Sequence, residues 1–287
     1  MLRDVRHAFK GGLPGSACWQ QRRRHLRLPL PLKNGIIRFG PRLSGECGRN
    51  LGNLKVRPGA LRLIGEFALS DSPNEIFSKI YKHNVWGTSR NPDMPFFSGT
   101  GSHDPSIVSP YISAVSNFLQ YFHLFEGRKP DVVDLGCGDF FVGSKIRPLC
   151  NKYIACDLVA PLIEFNKIYF KNVNVDFHVL DFTKDRLPTG DVVFIRQVIQ
   201  HLSNDDIRAA LPQITTNFRF LVLTEHLPIG DFVPNKDKPT GCDNRLAIGS
   251  GVILTAPPFN LRFKGGLQFP GAPEAGGVIR TNLYKIS

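Results

Sequence analysis

From about residue 107 onward, the spacing of apolar positions switches repeatedly between that of a helix and that of a strand. Ile107, Val108, Tyr111, Ile112, Val115, Phe118, Leu119 and Phe122 recur at intervals of three and four, which predicts an amphipathic helix stopping near Gly127. Pro110 fits this reading as a first-turn residue. Upstream, Glu75–His83 reads as a short helix behind the start signal Ser72-Pro73-Asn74, followed by a loop dense in Gly, Pro, Ser and Asn. After Pro130, short apolar runs predict strands at Val132–Leu135, Tyr153–Cys156, Val175–Leu180, Asp191–Ile195 and Phe218–Thr224. Between them, Phe140–Leu149, Leu162–Tyr169 and a stretch starting near Asn204 carry helical spacing. Apolar runs separated by helices predict a parallel sheet covered on both faces. The Gly/Pro-rich C-terminal segment adds strand-like runs at Val252–Thr255 and Asn282–Ile286.

Composition changes this picture at one end only. A chain of 287 residues that is 42% hydrophobic and 21% charged is long enough for a sizeable core and reads as soluble and globular. No stretch approaches the roughly 18 apolar residues of a membrane span. The net charge of +12 would point to nucleic acid, but residues 1–60 hold 13 Lys and Arg against only Asp4 and Glu46. The rest of the chain is nearly neutral, which disfavours a catalytic domain that grips phosphate backbones. Residues 1–62 therefore read as a basic, loosely attached extension, 63–106 as an accessory helix with a Gly-rich loop, and 107–287 as the main domain. The expected location is cytoplasmic, or an organelle matrix if the Arg-rich, acid-poor extension is a presequence. A solvated tail and translation from upstream of the true start are the other readings of it. The six cysteines form no C-x-x-C pair, which fits a reducing compartment without structural zinc. His201, His226 and Cys242 have the spacing of no known metal site.

The chemistry begins at "DVVDLGCGDFFVG", residues 131–143, where an apolar strand ends on an acid and breaks into glycines. A dinucleotide fingerprint needs a third glycine where Phe141 stands, and no P-loop is present anywhere in the chain. Asp157 and Asp181 close the next two strands, so three acids fall on the edge where open α/β sheets bind ligands.

With these residues in view, positions 107–226 resemble the class I S-adenosylmethionine-dependent methyltransferases. The motifs "VVDLGCGDF", "YIACDLVAPLIEFN", "VLDFTKDRLPTGDVVFIRQVIQHLSNDDI" and "FLVLTEHLP" stand in that family's order. The resemblance implies a Rossmann-like α/β sandwich with a mostly parallel seven-stranded sheet and an antiparallel last strand. It also implies S-adenosylmethionine as cofactor. Asp134, Gly136 and Gly138 would meet its methionine part, Asp157 the ribose hydroxyls, Asp181 and Phe182 the adenine, and Arg196 and Gln197 the surroundings of the sulfonium. The family usually has glycine where Phe140 stands here.

Candidate catalytic residues at the same edge are His201, Glu225 and His226, although His201 reads first as a loop-orienting residue. "SGTGS" at 98–102 reads as a lid or as a linker, and the long segment after Pro234 as a wall of the substrate pocket. "APPFN" at 256–260 reads as a proline-rich turn, since Ala256 lacks the acceptor that an amino-methylating tetrad needs. The expected function is methyl transfer to a small molecule such as a sugar or other metabolite hydroxyl. A protein or RNA acceptor, a non-catalytic S-adenosylmethionine-binding scaffold and an NAD-dependent enzyme are the alternatives.

Overall fold

Val132–Leu135 (β1) is buried along its whole length, so it is stable only as a central strand with a layer on each side. A computed structural model of the chain describes residues 71–287, and the expected extension at 1–62 lies outside the described residues. Ser72 opens the first helix, α1 (Pro73–Lys82), with a reciprocal capping box: Ser72 N donates to the Glu75 carboxylate at 2.7 Å and Glu75 N to Ser72 Oγ at 3.4 Å. The second, α2 (Pro105–Glu126), starts at the Asp104 cap and ends at Gly127, whose left-handed backbone (φ 69°) stops it.

Then follow β1, α3 (Phe141–Ile146), β2 (Tyr153–Asp157), α4 (Ala160–Tyr169), β3 (Asp176–Val179), β4 (Val192–Arg196), α5 (Asn204–Asn217) and β5 (Phe220–Pro228). The chain ends in β6 (Gly265–Gln268), β7 (Ala272–Glu274) and β8 (Gly277–Lys285). The sheet order is β3-β2-β1-β4-β5-β8-β6, with β1 to β5 parallel and β8 antiparallel to β5 from Phe220↔Lys285 to Pro228↔Gly277. β6 and β7 pair with successive halves of β8. The predicted mostly parallel sheet of seven strands thus forms, and β7 extends its edge as a short eighth.

One face packs Ile195, Leu221 and Leu223 against Ile207, Leu211 and Ile214 of α5. The other packs Val132, Phe194 and Val222 against Val115 and Leu119 of α2 and Ile146 of α3. Each such side chain contributes about 1.5–3 kcal/mol of burial, and together they hold the C-terminal ends of β1, β2, β4 and β5 in register.

Two local expectations are corrected, and two strands appear that the pattern did not announce. Because α2 begins at Pro105, Pro110 is an interior helix residue and not a first-turn one. Val252–Thr255 is not a strand, although Val252 and Leu254 are core residues. The Asn235 amide replaces a partner strand there: its Nδ2 donates to Ile253 O at 2.9 Å and its Oδ1 accepts from Ile253 N at 2.8 Å. β6 and β7 had no apolar alternation to reveal them, and every residue of β6 is exposed.

Candidate functional site

The turn after β1 is built by close approach. Gly136 (φ 78°) and Gly138 (φ 56°) take left-handed backbone, and a side chain on either would strike Val198 or Ser98 Oγ respectively. Phe140 is also left-handed (φ 58°), a conformation that glycine adopts without strain and a residue with a side chain does not. Its ring is fully buried edge-on against Tyr153, Phe170 and Phe177 at 5.4, 5.2 and 5.0 Å, which offsets the strain. Gly143 leaves room for that ring.

Carboxylates surround the turn. Asp157, at the end of β2, accepts from Gly138 N at 3.0 Å and Val159 N at 3.1 Å. Burial raises its pKa against the pull of these donors. Asp134 accepts from Tyr153 Oη at 2.9 Å, and burial pushes its carboxyl up to about 7. Asp139 is a site residue that sequence reasoning missed. Its Oδ2 accepts from Ser98 N at 2.8 Å and lies 2.7 Å from His103 Nε2. His103 is stacked between Phe97 at 4.6 Å and Phe141 at 4.4 Å. The glycine-rich segment 98–102 is thereby tied to the turn. The adjacency of Asp139 to Gly138 was the only signal available beforehand.

The same segment is tied to β4. Arg196 Nη2 donates to Gly101 O at 2.5 Å and Nη1 to Ser102 Oγ at 3.2 Å. Gln197 is left-handed (φ 56°), and its N donates to Thr224 O at 2.7 Å. Thr100 Oγ1 reaches Glu274 Oε1 on β7 at 3.1 Å. Asp181 is held by its own turn, accepting from Thr183 N at 3.0 Å and Thr183 Oγ1 at 2.6 Å and pairing with Lys184 at 3.2 Å. Phe182 beside it is buried.

At the end of β5, neighbouring residues part company because a strand turns successive side chains to opposite faces. His226 lies on the face of Thr224 and reaches the cavity. Its Nε2 donates to Glu274 O at 2.9 Å, and its Nδ1 faces Asn244 Nδ2 at 3.4 Å. Glu225 points the other way, off the cavity, with neither carboxyl oxygen hydrogen-bonded. Burial holds its pKa well above the carboxylate range, against the pull of Arg245. His201 is buried and donates from Nδ1 to Asp243 O at 3.3 Å, while Gln200 Nε2 stands 3.2 Å from its Nε2. Burial lowers its pKa to about 4, so the ring is neutral at physiological pH.

The segment after β5 folds back through Arg245, which is completely buried. It donates to the carbonyls of Lys236, Ile199, Gln200 and Leu202 and to Asn204 Oδ1 at 2.7–3.2 Å. Cys242, Asp243 and Asn244 are thus brought to the site, and Trp86 Nε1 donates to Cys242 O at 3.4 Å.

One cavity of ≈ 440 Å³ collects Asp134, Gly136, Gly138, Asp157, Asp181, Phe182, Arg196, Gln197, His201 and His226. Glu225 alone of the anticipated residues is absent from its wall. Tyr81, Trp86, Tyr111, Asp139, Asn244 and Glu274 line it without having been singled out. The turn at 256–260 lies elsewhere, and no cluster of potential metal ligands occurs among the described residues.

Residues 132–219 match the family model of a methyltransferase domain. Similar folds include the N-methyltransferase NodS from Bradyrhizobium japonicum WM9, crystallised with S-adenosyl-L-homocysteine. It is 13% identical over 74% of this chain and 100% of that one, with a TM-score of 0.51. The bifunctional kinase-methyltransferase WbdD is 13% identical over 79% of this chain and 46% of that one, with a TM-score of 0.50. At these identities the likeness is one of fold. No curated protein matches the chain significantly.

Proposed function

From the premise that this chain belongs to the class I S-adenosylmethionine-dependent methyltransferases, we propose that it methylates a small molecule inside the cavity, with His226 as proton acceptor. The observation that carries this reading is the cavity itself: the glycine turn and His226 line one space of ≈ 440 Å³, under segment 98–102. A space of that size, within the ordinary range of small-molecule sites, suits a cofactor and a compact acceptor better than a macromolecular surface.

The residues present fit the cofactor. Gly136 and Gly138 let the turn close against Val198 and Ser98 so that its backbone forms part of the cavity wall, Asp157 stands beside that turn as an acceptor for hydroxyls, and Tyr81 and Trp86 supply an aromatic wall. S-adenosylmethionine, when bound, supplies an electrophilic methyl carbon whose bond to sulfur breaks as the acceptor's lone pair attacks it. The chain's own part is placement and proton handling. Glu274 O fixes the proton of His226 on Nε2, so the Nδ1 lone pair is the basic position of the ring, and the acceptor's hydroxyl reaches it by displacing the Asn244 amide N–H that it now accepts. Asn244 Nδ2 donates to that nitrogen across 3.4 Å, a long bond that is readily exchanged. Gln200 Oε1 holds the His226 backbone N at 2.9 Å, so the ring is pinned at two points. His201 acts as a structural strut, and Glu225, off the cavity, has no part in transfer.

Calorimetry with S-adenosylhomocysteine on the wild type and Asp157→Ala tests the premise: binding is expected, weakened in the variant, and absence of binding to the wild type defeats it. Transfer of a labelled methyl group into a cell metabolite extract then separates an enzyme from a scaffold. His226→Ala should lower that transfer by roughly 10²–10⁴-fold while leaving S-adenosylhomocysteine affinity within a factor of about two. An equal loss of both would remove His226 from proton transfer.

A further inference from the structure

We infer that Gln200 is the positioning residue for His226, and that its side-chain amide also dictates which nitrogen of His201 carries the proton. The direction of each bond follows from a single backbone group. His226 N–H can only donate, and it meets Gln200 Oε1 at 2.9 Å. The other end of the buried amide is therefore NH₂, and it lies 3.2 Å from His201 Nε2. An NH₂ group can only donate as well, so His201 Nε2 is an acceptor without a proton. The neutral ring then carries its proton on Nδ1, which donates to Asp243 O at 3.3 Å.

The residue after Asp243 closes the circuit. Asn244 Oδ1 accepts from Leu246 N at 3.0 Å, and its Nδ2 donates to His226 Nδ1 at 3.4 Å. The two histidines are thus neutral with opposite tautomers, Nδ1–H in His201 and Nε2–H in His226. A second proton on His201 would set one donor against another at Gln200 Nε2, and the surroundings oppose that charge. Lys238 Nζ donates to His201 O at 3.1 Å, and the Arg245 guanidinium holds Gln200 O at 3.2 Å. Asp243 offers the ring a backbone carbonyl, not its carboxylate. On the other side Phe77 and Trp86 pack against it at 6.5 and 5.3 Å and bring no charge. When an acceptor displaces the Asn244 amide, the His226 ring loses one hold, and Gln200 keeps the backbone under it in place.

The role of Gln200 in transfer rests on His226 as proton acceptor, whereas the two tautomers do not. Imidazole ¹⁵N spectra of the ligand-free full chain at pH 7, assigned through bonds to the backbone, should show the proton of His201 on Nδ1 and that of His226 on Nε2. Gln200→Met removes both bonds of the amide. It should lower labelled methyl transfer by roughly 10–10²-fold through misplacement of His226, with S-adenosylhomocysteine affinity within a factor of about two. Gln200→Glu keeps an acceptor for His226 N–H and turns its second oxygen to His201 Nε2. Its transfer should therefore exceed that of Gln200→Met. His201 should take up a proton on Nε2, titrating about 1–3 pH units above its wild-type value of about 4.

A proton on His201 Nε2 in the wild type overturns the proposal, and this spectrum decides even where Gln200→Met does not fold. Wild-type transfer by Gln200→Met overturns it too, as does a Gln200→Glu variant that transfers no better than Gln200→Met. If the wild type neither binds S-adenosylhomocysteine nor transfers methyl groups, the methyltransferase reading fails, and the tautomers alone then uphold or refute the circuit.

Discussion

Phe140 holds a backbone conformation that costs most residues about 1–2 kcal/mol, and its ring occupies a pocket between three aromatic side chains. The two effects can be separated by substitution. Phe140→Ala should destabilise the chain by about 3–5 kcal/mol, because it empties the pocket and keeps the strain. Phe140→Gly should recover about 1 kcal/mol of that loss, although it removes one more carbon. Urea denaturation measures both, and a glycine variant less stable than the alanine one would contradict the strain argument. The sequence marks this position as a departure from the family's glycine, but not its cause, since the partners Phe170 and Phe177 come from other elements. Glu225 and His226 illustrate a different limit. Adjacent strand residues face opposite sides, so once β5 is known to run to Pro228 only one of the pair can reach the cavity.

The segments after β4 and β5 act as one unit, because Arg245 satisfies three carbonyls at 199–202 as well as Asn204. Arg245→Met keeps much of the volume but strands those acceptors, and a loss of about 3 kcal/mol or more is expected. S-adenosylhomocysteine affinity should fall with it, since His201 and Asn244 are placed through this clamp. A variant with wild-type stability would show that water replaces the arginine. Nothing in the pattern around Arg245 distinguishes it from a surface arginine, as its acceptors are backbone oxygens distant in sequence. The Asn235 amide that takes the place of a strand beside Ile253 was hidden for the same reason.

For the molecule as a whole, two buried groups oppose one another as pH changes. Burial lowers His201 from 6.5 to about 4, so its contribution to stability is present above pH 6.5 and lost as pH falls toward 4. Burial raises Asp134 from 3.8 to about 7, so its contribution is present below pH 3.8 and lost as pH rises through 7. Each amounts to on the order of 3 kcal/mol over its interval. Between roughly pH 4 and 6.5 they cancel in part, and the ligand-free protein should show a shallow dependence of Tm on pH. Asp134→Asn should steepen the rise of Tm with pH across that window, and an unchanged slope would refute the shift. No helix among the described residues is long and apolar enough to cross a membrane, in keeping with the absence of any long apolar run. The sequence by itself determined the order of strands and helices, the parallel sheet and the edge bearing Asp134, Gly136, Gly138 and Asp157, because burial on both faces and the need for glycine are local demands. Tertiary structure alone decided that His226 and not Glu225 meets the cavity, that Asp139 anchors segment 98–102 and that Arg196 lies under it, because each depends on contacts between residues far apart in the chain.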